Sequence, residues 1–116
     1  MHFHERSHGE SFLALVQQYF RGNGLFFLDE PEAALSPQRQ LALLIEIDRC
    51  RKQGAQFIIV THSPILLGLP DAEILSFDEG KIHPCAYEET DSYRITSMFM
   101  RDREQLLKRL LDDSDD

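Results

Sequence analysis

Two carboxylates stand side by side at Asp29-Glu30, directly after the unbroken apolar run Leu25-Phe26-Phe27-Leu28. An acid pair at the end of a buried strand is costly unless it faces a cleft or a cation. Asp29 is placed to hold Mg²⁺, directly or through water, because hard cations take oxygen ligands. Glu30, one residue on, points elsewhere, where it can orient or deprotonate an attacking water. The same pair also reads as two solvated acids opening a loop, and the apolar run before it favours the chemical reading.

His62 is the second candidate. It follows another apolar run, Phe57-Ile58-Ile59-Val60, in the segment Thr61-His62-Ser63-Pro64. An imidazole level with Asp29 on a neighbouring strand can donate to a terminal phosphate oxygen. Taken alone, it reads first as a loop histidine with one backbone hydrogen bond. The third candidate is Ser7-His8-Gly9-Glu10 at the start of a helix. Free N–H groups and the positive dipole end favour an anion there, with Ser7 adding a hydroxyl and Gly9 allowing close approach. Ser7 with Glu10 three residues on is equally a capping box, and alone the segment favours that simpler role. His2, His4 and His8 follow no standard metal-ligand spacing.

These residues need elements to position them. Phe12, Leu15, Val16, Tyr19 and Phe20 mark one face of a helix over Gly9 to Tyr19, ended by Arg21-Gly22-Asn23-Gly24. Leu25–Leu28 shows no alternation, so it predicts a strand covered on both faces, as in a parallel sheet. Ser36-Pro37 opens a helix with a cap and a first-turn proline. Leu41, Leu44, Ile45 and Ile47 are its expected buried side, and Gly54 stops it. Phe57–Val60 is a second strand, and Ser63-Pro64 opens a short helix through Leu67. A third strand is expected over Glu73–Phe77, then a turn at Asp78-Glu79-Gly80-Lys81 into a short strand near Ile82. A last helix is expected from Ser92 to Leu111, capped by Asp91. Helices alternating with strands predict an α/β fold with a parallel sheet, whose ligands bind beyond the carboxyl ends of the strands. Asp29, Glu30 and His62 all fall at those ends.

The 116 residues allow one small domain, and no apolar run reaches the ~18 residues that span a bilayer. The N-terminus lacks a secretory pattern. Cys50 and Cys85 lie far apart, so reduced thiols and a cytoplasmic location are expected. A net charge of −8 argues against a nucleic-acid surface on this segment, although residues 112–116 carry much of it as an acidic tail.

Together these segments resemble ABC-type ATPases, particularly the soluble predicted ATPases grouped under an AAA label. Ser7-His8-Gly9-Glu10 resembles the family signature, and Leu25 through Glu32 resembles a Walker B strand with its catalytic glutamate. Ala33-Ala34-Leu35-Ser36 resembles the D-loop, with Ser36 in place of the usual aspartate. Thr61-His62-Ser63-Pro64 resembles the switch histidine segment. The resemblance implies the C-terminal half of a P-loop NTPase-like three-layer parallel sheet over residues 1–111, lacking the phosphate-loop strand. It implies ATP and Mg²⁺ as ligands: Asp29 for the metal, Glu30 for the water, and His62 for the γ-phosphate. Ser7, Gly9 and Glu10 would close on ATP held by the other subunit of a dimer.

No Gly-x-x-x-x-Gly-Lys-Ser/Thr occurs in these 116 residues. That loop supplies the N–H nest and the lysine for the β- and γ-phosphates. The expectation is therefore a truncated chain, a fragment, or one piece of a split protein with a separate N-terminal half. ATP hydrolysis would belong to the complete protein, with little activity in this chain alone. A non-catalytic module that pairs with a complete ATPase is the main alternative. A metal-dependent hydrolase using Asp29, Glu30, Glu32 and His62 is the remaining one, weakened because Glu32 sits in a proline-initiated loop. No membrane contact by this chain is expected.

Overall fold

The structure, a computed structural model, describes residues 16–18, 20, 23–77 and 80–112. The chain forms two compact units, Met1–Ala72 and Glu73–Asp116.

The first unit is built on strand β1 (Leu25–Asp29), helix α1 (Pro37–Lys52) and strand β2 (Gln56–Val60). β1 and β2 pair in parallel, from Leu25 opposite Gln56 to Asp29 opposite Val60. α1 starts where its chemistry says it should: Ser36 Oγ accepts from the Arg39 N–H at 3.3 Å, and Pro37 occupies the first turn. It ends before Gly54, whose φ of 105° suits a residue without a Cβ.

The core gathers Val16 and Phe20 with Leu43, Ile47 and Cys50 of α1, Ala55 and Leu66. Phe26, Leu28, Phe57 and Ile59 pack against it from one face of the strand pair. Phe20, Phe26 and Phe57 form an aromatic cluster with centroids 5.1–5.2 Å apart. The expected buried side of α1 needs correction. Leu41 and Ile45 are exposed, and the buried stripe is Leu43, Glu46, Ile47 and Cys50. These positions follow three-four spacing. Buried Glu46 is held by Arg49 at 2.7 Å and by the Gln17 amide at 3.4 Å.

The expectation that both strand faces are covered is also corrected. Leu25, Phe27, Ile58 and Val60 are exposed, between 45% and 66%. The described core lies on the opposite face, so the strands alternate in burial although their sequences do not alternate in polarity. The observed architecture is α/β with a small, two-stranded parallel sheet.

In the second unit, β3 (Leu75–Ser76) and β4 (His83–Pro84) pair antiparallel. The third strand is thus shorter than Glu73–Phe77, and its partner, at His83–Pro84, lies next to Ile82 as expected. Residues 78 and 79 of the expected turn lie outside the described residues. The single last helix is in fact two, α2 (Asp91–Arg101) and α3 (Arg103–Asp112). Asp102 leaves the helical region at φ −124° and ψ 42°, a residue type better suited to helix ends than interiors. The cap of α2 is Thr90, not Asp91: its Oγ1 accepts from the Tyr93 N–H at 3.2 Å. Among the described residues, no helix is long and apolar enough to cross a membrane.

Candidate functional site

The parallel register brings the carboxyl ends of β1 and β2 side by side, with Asp29 opposite Val60. The chain then turns sharply. The Glu30 N–H donates to the Val60 carbonyl at 2.6 Å, and Glu30 adopts a left-handed backbone, φ 48° and ψ 55°. A non-glycine residue in that region costs about 1–2 kcal/mol. Pro31 then opens a short 3-10 turn over Pro31–Ala34.

That turn sends Glu32 across to the loop after β2. Thr61 Oγ1 donates to Glu32 Oε1 at 2.6 Å, and the His62 N–H donates to Oε2 at 3.1 Å. Partial burial pushes the Glu32 carboxyl up. The hydrogen bonds from Thr61, His62 N–H and its own backbone, with the His62 charge, outweigh burial and hold it below the usual glutamate value.

A second latch lies behind the first. The Ser63 N–H donates to Thr61 Oγ1 at 3.0 Å. Ser63, itself buried, donates from Oγ to the Gln40 amide oxygen, and the Gln40 Nε2 donates to the Leu35 carbonyl at 3.1 Å. Ser63 Oγ also accepts from the N–H groups of Ile65 and Leu66, both at 3.1 Å. It therefore caps the turn at Leu66–Gly68, in place of the short helix expected through Leu67. The loop after β1, the first turn of α1 and the loop after β2 are joined by side-chain hydrogen bonds.

Asp29, Glu30 and His62 are exposed around this latch. Glu30, Glu32 and His62 each offer a ligand atom, all within 4.8 Å of one another. Ser7, Gly9 and Glu10 lie outside the described residues. Read from the sequence, Glu32 carried little weight because it sits in a loop, Gln40 and Thr61 had no task of their own, and Ser63 had only that of opening a short helix. The available signal was Pro31, which forces the turn that aims Glu32, and the hydroxyls flanking His62.

Acids and a hydroxyl–histidine segment thus gather at the carboxyl ends of adjacent parallel strands, the edge of an open α/β sheet where ligands bind. The family described as "AAA domain, putative AbiEii toxin, Type IV TA system" matches residues 4–68, more than half of the chain, and the chain belongs to it. This places the protein at the level of the AAA and P-loop NTPase superfamily and links it to nucleotides. No curated protein matches the chain. One expectation is overturned: the match occupies the N-terminal and middle region, residues 4–68. The assignment to the C-terminal half of an ABC-type ATPase domain, carried through the last helix, does not stand.

Proposed function

We propose that the chain contributes the hydrolytic residues of a Mg²⁺-dependent ATP site in an AAA-family ATPase. The observation that supports this most is the shared carboxyl end of β1 and β2, where Asp29 closes one strand, Glu30 follows it, and His62 lies on the loop after the other, which Glu32 braces. Asp29, at the strand terminus, would hold Mg²⁺ through its shell, and the ion would supply charge neutralisation at the phosphates. Glu30 is lifted out of the strand by its left-handed backbone and orients the attacking water. His62 donates to a terminal phosphate oxygen, on a loop braced by Glu32. Ser7, Gly9 and Glu10 act across a dimer, on ATP held by the other subunit.

The 116 residues contain no phosphate loop, the source of most phosphate-binding energy. The chain alone is expected to bind ATP weakly and to turn it over negligibly. Phosphate release by the purified chain with Mg²⁺ and ATP tests this. Robust turnover that Glu30→Gln abolishes would show that the loop is dispensable. When a phosphate loop is supplied in cis or in trans, Glu30→Gln should accumulate an ATP-bound dimer on size-exclusion chromatography. A Glu30→Gln protein that stays monomeric and hydrolyses ATP normally would remove Glu30 from the mechanism.

A further inference from the structure

The donors of Glu30, Glu32 and His62 come from two different loops, yet they converge within 4.8 Å. Asp29 is not among them. Two carboxylates and one imidazole are a poor match for Mg²⁺, which demands oxygen ligands and keeps its waters. They suit a borderline metal that takes nitrogen and oxygen together. We propose that Glu30, Glu32 and His62 form a three-ligand Zn²⁺ site with its fourth position open to water.

Three features of the site support this. Tetrahedral zinc with bonds near 2.0–2.2 Å needs donors about 3.3–3.5 Å apart, so these must close in by roughly 1–1.5 Å. Glu30 and His62 are exposed, and side-chain rotation supplies that movement. Glu32 is already oriented by the Thr61 hydroxyl and the His62 N–H, as the outer shell of a metal site orients its ligands. With the bond from its own backbone, these use about three of the roughly four lone-pair positions of a carboxylate and leave one for an ion.

The consequence for function rests on the ATP reading above. Zinc would occupy Glu30 and His62 together, so it would withdraw the water-orienting and phosphate-contacting groups at once. The site thereby becomes an inhibitory one, distinct in ligands from the Mg²⁺ position at Asp29.

The binding claim is tested without nucleotide. The full chain is prepared with His2→Ala, His4→Ala, His8→Ala, His83→Ala and Cys85→Ser, so that the other imidazoles and the partly exposed thiol do not contribute, and is titrated with Zn²⁺ by calorimetry. One equivalent is expected, with excess Mg²⁺ failing to displace it. His62→Ala and Glu32→Gln should each weaken binding at least ~10-fold, and Thr61→Val about 10-fold through lost orientation. His62→Ala is the fold-safe variant, because the main-chain N–H and not the ring holds Glu32. Co²⁺ gives a second readout: its visible bands should change in His62→Ala. Absence of binding in this background, or binding indifferent to both His62→Ala and Glu32→Gln, overturns the site. Intact zinc binding without any ATPase effect in the completed enzyme would refute only the inhibitory role.

Discussion

Replacing Ser63 by alanine tests whether the hydrogen-bonded latch stabilises the first unit or only decorates it. The Ser63 hydroxyl makes one donor contact, to the Gln40 amide oxygen, and two acceptor contacts, from the Ile65 and Leu66 N–H groups. In plain terms, alanine orphans the Gln40 amide oxygen and two backbone donors, one of them on buried Leu66. Loss of a cap costs about 1 kcal/mol. Leaving a buried partner unsatisfied costs about 1–3 kcal/mol. A destabilisation of roughly 2–3 kcal/mol follows, a large share of the ~5–15 kcal/mol typical of a domain. With a urea slope of about 1–2 kcal/mol/M, the midpoint should fall by roughly 1–3 M. Gln40→Leu breaks the same bond from the other side. In a double-mutant cycle the pair should therefore couple by about 1 kcal/mol. A Ser63→Ala protein within 0.5 kcal/mol, taken as roughly the scatter of surface substitutions, or a coupling near zero, would refute the reasoning.

Glu32 sets a pH dependence. Its folded-state carboxyl titrates below its ordinary value, so its contribution is present above that value and is lost as pH falls through the lowered one. Thermal midpoints across the acidic range should show this loss, and Glu32→Gln should flatten it. Glu30→Gly should raise stability by up to about 1 kcal/mol, since relief of the left-handed backbone exceeds the added chain entropy; chemical denaturation measures it, and a clear loss would argue against backbone strain. Ile47→Ala, at a side chain 1% exposed, should cost about 2–5 kcal/mol by urea unfolding. Phe27→Thr with Ile58→Thr, on the bare strand face, should change stability little and lower concentration-dependent light scattering.

The first unit was legible where local chemistry is decisive. Ser36, Pro37 and Gly54 bracket α1 through a cap, a fixed φ and a left-handed stop, and each acts within a few residues. The two apolar runs gave β1 and β2, and their carboxyl ends collected Asp29, Glu30 and His62. What covers a strand is a tertiary matter, however. Leu25-Phe26-Phe27-Leu28 is the same string whether one face or two are packed, so the bare face was not legible. The break at Asp102 and the transfer of the cap to Thr90 shift boundaries by residues that compete for the same role. Glu32 was undervalued for a related reason. Its partners Thr61 and His62 lie about thirty residues away, and only the strand register brings them near.

That register also sets a timetable for synthesis. Leu25 pairs with Gln56, about thirty residues later in the chain. At ~5–20 residues per second, β1 waits roughly 1.5–6 s for the strand that satisfies its edge. Throughout that interval Leu25-Phe26-Phe27-Leu28 offers an apolar, unpaired segment, and local contacts within α1 cannot shield both of its sides. The nascent chain thus presents a chaperone-binding segment defined by its topology, and slowing translation between residues 29 and 56 would lengthen that exposure in proportion.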